Sequence, residues 1–497
     1  MPKYIVDCCL KQEILSLVLP LLKACDCGDH RQATNVFEEI LRKTVQNKLE
    51  RLSDENLADR IYSSYDFVME GQGSVSLSAT PTKAQESFIK SLIKVILHGV
   101  SNDSDYQVVE YQGNLLISLC IDKLYIEKSP LKGSLLSSHD EVFNAVIAIL
   151  DQSTKINEDN SYYKGRKKFE INFYNIPNKT DLIVSSQISE EFDKIDLRDS
   201  ADGSEKTLIS TDPAYSSLPF SQDTFNLTQV HFLPSAECEN IWESLYFDDN
   251  IKEKLFNYAT IAIKLSQHML NASTNVSINT AMDSNRLILI HGPPGTGKTT
   301  VCKALCHKLA IRQNAGIFSN KVTAAPAILI ELSCSKVFSR WFGESSKNLD
   351  TLFKDIESLL QVTCANDQFV CLLIDEVETI AFSRSSLINK NETTDAIRVV
   401  NTLLTRLDGL KKYKNFITLA TSNLIDSMDS AFIDRADGIF HIPTPSAAGC
   451  KSIIESSINQ FTRMEIIQAA SPDILNDQLI QASLNQIVLR CAVSTKA

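Results

Sequence analysis

Consecutive apolar residues recur through the C-terminal half of the chain and predict the strands of a buried sheet. The clearest run covers residues 369–374, six apolar positions in a row, which is typical of a strand covered on both faces of a parallel sheet. Further strands are predicted over 287–290, 416–423 and 438–442. After the first of these, Val301, Leu305 and Leu309 share one face of a predicted helix. This alternation of strands and helix indicates an α/β region.

The first 180 residues carry a different pattern, which predicts a mixed α/β domain. Apolar steps of three and four indicate helices over 31–52 and 83–98, and strict alternation predicts a strand over 169–174. The segment 106–126 is predicted to be a pair of strands around Gly113. Neither a catalytic motif nor an internal repeat occurs here, so the pattern leaves the fold of this domain open.

Between the two regions the composition changes, and residues 181–228 are predicted to be a flexible linker or a surface insertion. The stretch 190–205 holds seven acidic residues against two basic ones, and Ser, Thr and Pro follow, as is typical of a flexible connection. A short basic cluster precedes it, at Lys164, Arg166, Lys167 and Lys168. That cluster is either a solvated loop or a nuclear-localisation or phosphate-binding patch.

The overall composition is that of a globular protein and narrows the function classes. The 497 residues are enough for about three structural units. The net charge of −12 counts against broad nucleic-acid binding, because that affinity comes from Lys and Arg neutralising phosphates. We therefore expect no direct nucleic-acid binding.

The cysteines and the N-terminal apolar run indicate an intracellular protein. Thirteen cysteines form no disulfide framework, which fits a reducing compartment. The N-terminal set Cys8, Cys9, Cys25, Cys27 and His30 has no zinc-finger spacing. The apolar run 14–22 is nine residues long, too short for a membrane span of ~20 residues. We expect neither a zinc site nor a membrane segment.

A phosphate-binding loop follows the first strand of the α/β region. Its residues are Gly292, Pro293, Pro294, Gly295, Thr296, Gly297, Lys298, Thr299 and Thr300. The glycines let backbone N–H groups close around phosphates, and the following helix directs its positive end at them. Lys298 is predicted to reach the β- and γ-phosphates, and the Thr299 hydroxyl to ligate Mg²⁺. The predicted ligands are ATP and Mg²⁺.

Acidic and polar residues end the next strands, where parallel sheets bind ligands. Asp375 follows the run 369–374 and is predicted to hold Mg²⁺, while Glu376 is placed to deprotonate the attacking water. Asn423, at the end of the strand 416–423, is a candidate partner for the γ-phosphate or that water. Arg435 is either a surface ion-pair partner or a finger that reaches a neighbouring subunit's γ-phosphate.

Taken together, these motifs resemble the AAA+ ATPases, and more closely the pachytene checkpoint protein 2 family within them. The segments that carry the closer resemblance are 242–248, 338–342, 374–378, 395–401 and 434–437, and it covers about 229–460. It implies an AAA+ P-loop fold, a three-layer parallel sheet with a small helical lid, preceded by the mixed α/β domain. The expected domains are an N-terminal recognition domain (1–180), the linker (181–228), the large ATPase subdomain (229–444) and a short lid (445–497).

The resemblance also implies roles for these residues. Lys298 and Thr299 would bind nucleotide and Mg²⁺, Asn423 would act as sensor, and Arg435 as a finger in trans within a homo-hexamer. It implies that Trp341, Phe342 and Gly343 form a pore loop, and two aromatics beside a glycine are independently suited to gripping an extended peptide.

In function, the resemblance implies ATP-driven remodelling of HORMA-domain proteins, by partial unfolding, in meiotic chromosome-axis and checkpoint control. The expected location is the nucleus, on chromosomes, with the nucleolus as a further site.

The predicted lid departs from the family pattern. Helices are predicted over 446–464 and 477–489, but the Gly-Arg motif that supplies a second arginine is absent, and only Arg463 and Arg490 follow Arg435. Either the chain is a truncated or alternatively ended product, or the lid has diverged, and we expect weakened hydrolysis.

Two other functions remain as alternatives to the remodelling enzyme. One is a nucleotide-binding checkpoint scaffold with impaired hydrolysis, which the short lid favours. The other is a DNA-acting machine, which the acidic charge and the aromatic loop disfavour.

Overall fold

The structure is a computed structural model, and it divides the chain into two compact units. Unit 1 comprises residues 1–187 and 310–326, and unit 2 comprises 188–309 and 327–497. The described residues are 4–11, 30–50, 60–63, 120–128, 169–176, 218–272, 286–312, 327–338, 345–365, 368–382, 394–463 and 486–487. The domain boundaries expected from the sequence stay predictions.

Unit 1 contains a four-stranded mixed sheet and a helix. Its elements are β1 (Tyr4–Leu10), α1 (His30–Glu50), β2 (Arg60–Ser63), β3 (Ile121–Lys128) and β4 (Phe169–Asn175). The strand order is β2-β3-β1-β4, with β1 antiparallel to β3 and parallel to β4. The predicted helix over 31–52 and strand over 169–174 are therefore present. The predicted helix over 83–98 lies outside the described residues.

The core of unit 1 follows from the spacing of its apolar residues. Phe37, Leu41, Val45 and Leu49 recur every four residues along α1, and all are buried, so they form one apolar stripe. Arg312 is buried in the same unit and pairs with Asp7 at 2.9 Å and with Glu127. Cys8 and Cys9 are buried in β1.

Unit 2 is built on a six-stranded sheet that is mostly parallel. Its strands are β5 (Thr228–Leu233), β6 (Leu287–His291), β7 (Ala327–Ser333), β8 (Phe369–Asp375), β9 (Phe416–Ser422) and β10 (Gly438–His441). Their order is β10-β6-β9-β8-β7-β5. The five strands β6 to β10 pair in parallel, whereas β5 pairs antiparallel with β7.

Helices connect these strands, as parallel pairing requires. They are α2 (Gln222–Leu227), α3 (Ile241–Ser244), α4 (Ile251–Ala272), α5 (Lys298–Arg312), α6 (Cys334–Phe338), α7 (Ser345–Ala365), α8 (Thr394–Leu410), α9 (Ser430–Ile433) and α10 (Ala447–Arg463). The core includes Phe353, Phe416 and Phe432, each of which is at most 2% exposed. Strand β8 is buried at its six apolar positions, as predicted for a strand covered on both faces.

The last residues of the predicted linker are ordered in the structure. Ser221 caps α2, and its hydroxyl donates to Asp355 Oδ2 at 2.7 Å, as does Thr224 Oγ1 at 2.6 Å. These bonds hold α2 against α7, and the chain then enters β5. The sequence pattern did not predict this antiparallel edge strand, because its mixed polar and apolar residues lie on the sheet's margin.

The predicted lid begins with α10, which matches the expected helix over 446–464. Of the second predicted lid helix, 477–489, only residues 486–487 are described, and they are helical. No helix within the described ranges is long and apolar enough to cross a membrane. In the same ranges, no three His, Cys, Asp or Glu side chains are grouped to hold a metal ion.

Candidate nucleotide site

The phosphate-binding loop connects β6 to α5 and requires glycine at specific positions. Gly292 donates its N–H to Ser422 O at 3.2 Å. A Cβ on Gly292 would lie 2.1 Å from the backbone oxygen of Ile442, so only glycine fits there. Gly297 has φ 86°, in the left-handed region that favours glycine. The loop thus has glycine where its backbone requires it, and its role as a phosphate cradle stays a prediction.

Lys298 is the first residue of α5, and its side chain turns back onto the loop. Its ammonium donates to Gly292 O at 3.0 Å and to Pro293 O at 2.7 Å. Burial lowers the pKa of Lys298, and the carboxylates of Glu378, Asp375 and Glu376 oppose that shift. The negative charge of these carboxylates therefore favours the protonated form of Lys298, which is bonded to the loop.

Asp375 forms the centre of a hydrogen-bond network at the carboxyl ends of β8 and β9. Its Oδ1 accepts from Thr299 Oγ1 at 2.8 Å and from Thr421 Oγ1 at 2.5 Å. Thr421 Oγ1 in turn accepts from the backbone N–H of Glu376 at 3.1 Å. One threonine hydroxyl thus links the aspartate and the neighbouring glutamate.

Thr421 was not among the site residues predicted from the sequence. Thr421 is the penultimate residue of β9, a buried strand that pairs in parallel with β8. Polar residues at the carboxyl ends of adjacent parallel strands meet at one edge. The adjacency of β8 and β9 was the missing information.

Glu376 is presented in an unusual backbone conformation. It has φ 54° and ψ 48°, which is left-handed, and for a non-glycine residue this costs about 1–2 kcal/mol. The side chain is exposed, and Thr379 bonds to the Glu376 carbonyl through its N–H at 3.0 Å and its hydroxyl at 2.9 Å. The strain fits a residue whose direction matters for function.

Asn423 follows β9 directly. Its backbone N–H donates to Glu378 Oε1 at 3.1 Å. The predicted sensor is thus bonded to Glu378, which lies two residues beyond Glu376. Glu378 was not predicted as a site residue and is only the last residue of the motif segment 374–378.

Arg435 is an ion-pair partner within this chain, the first of its two interpretations. Its Nη2 lies 2.8 Å from Asp408 Oδ2, and its Nη1 donates to Ala431 O at 2.8 Å. The role as a finger in trans stays a prediction. The predicted pore-loop residues Trp341, Phe342 and Gly343 lie outside the described residues.

The segment ahead of the loop, 242–248, packs close to the site. Trp242 is buried against Phe256, and Lys252 Nζ donates to Trp242 O at 2.8 Å and to Leu245 O at 2.7 Å. Asp248 accepts the N–H of Ser446 at 3.0 Å and its hydroxyl at 2.6 Å. These bonds tie the segment to the start of α10, the predicted lid helix.

The residues present fit a magnesium nucleotide. A hard cation such as Mg²⁺ prefers oxygen ligands, and the Thr299 hydroxyl and the Asp375 carboxylate supply them side by side. The glycine cradle at Gly292 and the Lys298 ammonium offer donors to phosphate oxygens. Glu376 supplies an exposed carboxylate next to this arrangement, as a general base requires.

Comparison with known proteins supports the same assignment. The family model for the "ATPase family associated with various cellular activities (AAA)" matches residues 288–444. Pachytene checkpoint protein 2 of Saccharomyces cerevisiae is 43% identical over 485 residues, covering 94% of this chain and 86% of that protein. The human homologue of pachytene checkpoint protein 2 is 36% identical over 254 residues, 51% of this chain and 55% of its own length.

A solved structure agrees in fold. The structure of PCH-2 of Caenorhabditis elegans has a TM-score of 0.52 and 21% sequence identity, covering 98% of this chain and 88% of the other. The expected AAA fold class is confirmed, with β5 as an added antiparallel edge. Because the yeast relative aligns over nearly the whole chain, the chain belongs to the pachytene checkpoint protein 2 family of AAA ATPases.

Proposed function

We propose that this chain hydrolyses ATP and uses the energy to remodel HORMA-domain proteins. The observation that carries the first part is the network in which Thr299 and Thr421 both donate to Asp375, while Thr421 accepts the N–H of Glu376. When bound, Mg²⁺ would neutralise charge on the phosphate oxygens. The AAA family match supports ATPase activity in general.

In this proposal each residue of the chain has a definite task. Lys298 donates to phosphate oxygens, since its ammonium already lies at the loop. Asp375 and Thr299 hold the metal, and Thr421 keeps the Asp375 carboxylate in place. Glu376 takes the proton of the attacking water at its exposed carboxylate, and Asn423 orients that water or the γ-phosphate.

The second part of the proposal concerns the substrate. The family resemblance suggests HORMA-domain proteins, a homo-hexameric ring, and a pore loop in which Trp341 and Phe342 grip an extended segment. Arg435 would act across the subunit boundary on a neighbour's γ-phosphate. The proposed location is the nucleus, on meiotic chromosomes and in the nucleolus.

The test is steady-state ATP hydrolysis with and without a HORMA-domain protein, together with an assay of HORMA conversion. Glu376→Gln is expected to abolish turnover and keep ATP binding. Trp341→Ala is expected to spare basal hydrolysis and abolish conversion. If Trp341→Ala converted its substrate normally, the threading step would be wrong, and if the unmutated chain did not hydrolyse ATP, the enzymatic proposal would be wrong.

A second candidate is a nucleotide-binding checkpoint scaffold with impaired hydrolysis. One feature of the sequence favours this function. The arginines of residues 445–497 are Arg463 and Arg490 alone, and neither belongs to a Gly-Arg motif. The same assay separates the two functions. A scaffold would bind ATP and HORMA-domain proteins, yet its turnover would not respond to them.

A further inference from the structure

Glu378 is a buried carboxylate that the proposed mechanism does not use. It lies two residues beyond Glu376, in the 3-10 turn Val377–Thr379, and only 7% of it is exposed. Its Oε1 accepts the backbone N–H of Asn423 at 3.1 Å. Its Oε2 is enclosed and accepts no hydrogen bond from the part of the chain that the structure describes. Burying such an oxygen is costly, so its presence calls for a reason beyond packing.

The surroundings of Glu378 show two segments that run side by side. The first, 376–382, follows β8. The second, 421–429, comprises the last two residues of β9 and the residues that follow it. They are joined at Glu376 to Thr421 by a bond of 3.1 Å. They are joined again farther along, where Asp429 donates its N–H to Ala381 O at 2.8 Å. The bond from Asn423 to Glu378 lies between these two connections.

The middle connection is made by the Glu378 side chain and holds the backbone of Asn423, the proposed sensor. Leu424, the next residue, is 61% exposed, so the main chain leaves the protein interior immediately after Asn423. The Asn423 N–H donates to the Glu378 carboxylate. Without that acceptor, the start of this exposed segment would lose the bond nearest to the sensor side chain.

The Glu378 carboxylate also acts electrostatically on Lys298. Among the acidic groups that raise the pKa of Lys298 against the effect of burial, Glu378 has the largest effect, ahead of Asp375 and Glu376. Its negative charge therefore favours the ammonium form at the phosphate-binding loop.

We propose that Glu378 is a positioning residue for ATP hydrolysis, which holds Asn423 in a fixed relation to the turn that carries Glu376. This rests on the proposed function of the site. The physical reason is geometric, since the water must meet the Glu376 carboxylate and the Asn423 side chain at once. A displacement of about 1 Å in such an arrangement costs up to about a hundredfold in rate.

Two substitutions separate the hydrogen bond from the charge. Glu378→Asp keeps the charge but shortens the side chain, so the carboxylate no longer reaches the Asn423 N–H. Glu378→Gln keeps the length and an oxygen acceptor but removes the charge. We expect Glu378→Asp to lower kcat about tenfold with KM for ATP changed less than about threefold, and Glu378→Gln to retain more than about half of kcat.

A double-mutant cycle with Asn423→Ala tests whether Glu378 acts through Asn423. If it does, adding Glu378→Asp to Asn423→Ala lowers kcat by less than about twofold. Multiplicative losses would overturn the proposal, as would a Glu378→Gln enzyme no better than Glu378→Asp. Asp355→Asn is the matched control, because it alters another hydrogen-bonded carboxylate, in α7, and is expected to leave kcat unchanged.

Hydrogen exchange provides a measurement that does not depend on turnover. In a peptide covering 416–428, the Asn423 amide is expected to exchange at least about tenfold faster in Glu378→Asp than in the unmutated chain or in Glu378→Gln. Equal exchange in all three would overturn the proposal. An unmutated chain without ATPase activity would refute the proposed function, whereas the exchange result would still decide the role of Glu378.

Discussion

The guanidinium of Arg435 forms a two-pronged ion pair with the carboxylate of Asp408 in the same chain. Its Nη2 donates to Asp408 Oδ2 at 2.8 Å, and its Nε lies 3.2 Å from both carboxylate oxygens. A third donor, Nη1, bonds to Ala431 O. A guanidinium has five N–H donors in a fixed plane. The ion pair with Asp408 therefore fixes the plane and direction of the Arg435 guanidinium.

This relationship predicts that Asp408 matters for hydrolysis. Asp408→Asn removes the charged acceptor and leaves the guanidinium less constrained. We expect kcat to fall about tenfold, against at least about a hundredfold for Arg435→Ala. The measurement is ATP hydrolysis at several protein concentrations, since a finger that acts in trans gives a turnover per chain that rises with concentration.

The control for Asp408 is another ion pair that involves α8. Arg406, two residues before Asp408 in the same helix, pairs with Asp350 of α7, an ion pair that does not include Arg435. Asp350→Asn is expected to change kcat by less than about twofold, because surface pairs contribute little beyond local stability. Equal losses in Asp350→Asn and Asp408→Asn would contradict a specific role for Asp408.

Gly292 cannot accept a side chain. In Gly292→Ala the new Cβ would meet the Ile442 carbonyl oxygen, which lies 2.1 Å from its ideal position. Because that oxygen belongs to the backbone, we expect the free energy of unfolding to fall by about 2 kcal/mol or more. Denaturant unfolding, together with binding of a fluorescent ATP analogue, measures the effect on stability and on the site.

Gly409→Ala provides the opposite expectation. A Cβ at Gly409 would lie 3.6 Å from Glu357 Oε1, which is ordinary contact, and Gly409 lies near the end of α8. Alanine there should raise the free energy of unfolding by about 0.5 kcal/mol. A destabilised Gly409→Ala, or an unaffected Gly292→Ala, would contradict this account of the two positions.

Thr421 is predicted to support catalysis through its hydroxyl. Thr421→Val keeps the volume but removes the bond to Asp375 and the acceptor for the Glu376 N–H. Since Thr421 is only 1% exposed, water cannot replace the lost partner. We expect kcat to fall at least about tenfold.

Serine at the same position separates the hydroxyl from the methyl group. Thr421→Ser keeps the donor and acceptor, and it is expected to retain most of the activity while losing some stability. Comparable turnover for Thr421→Val and Thr421→Ser, measured under saturating ATP, would show that the hydroxyl network has no catalytic part.

The stability of the site is expected to depend on pH through His291. Burial lowers the pKa of His291, the neighbouring His441 and Lys298 lower it further, and Asp426 opposes them. The folded state therefore favours the neutral imidazole. The neutral His291 therefore contributes to the free energy of unfolding. This contribution is fully present above the pKa of histidine in the unfolded chain, about 6.5, and is lost as the pH falls below that value.

Thermal unfolding between pH 7.5 and 5.5 measures this effect. The unmutated chain should lose more of its Tm over that interval than His291→Gln, which has no proton to gain. Identical pH profiles would show that His291 does not contribute.

The sequence by itself determined the parts of the site that are contiguous along the chain. The phosphate loop, Lys298 and Thr299 occupy one short segment, and their geometry follows from local backbone requirements and the start of a helix. The same holds for Asp375 and Glu376, which end a strand whose apolar run was unmistakable. The family was recognisable from these motifs because their residue types and order are specific.

Only the tertiary structure decided which distant side chains meet. Thr421 reaches Asp375 across 46 residues, and Asn423 reaches Glu378 across 45. These contacts depend on the placement of β9 beside β8, and hydrophobic patterning identifies strands without giving their neighbours. The partner of Arg435 was undecided for the same reason, because Asp408 lies on a separate helix. The burial of Glu378 and its bond to the Asn423 N–H were likewise decided by the tertiary structure, because no pattern of residue types shows which carboxylate is enclosed.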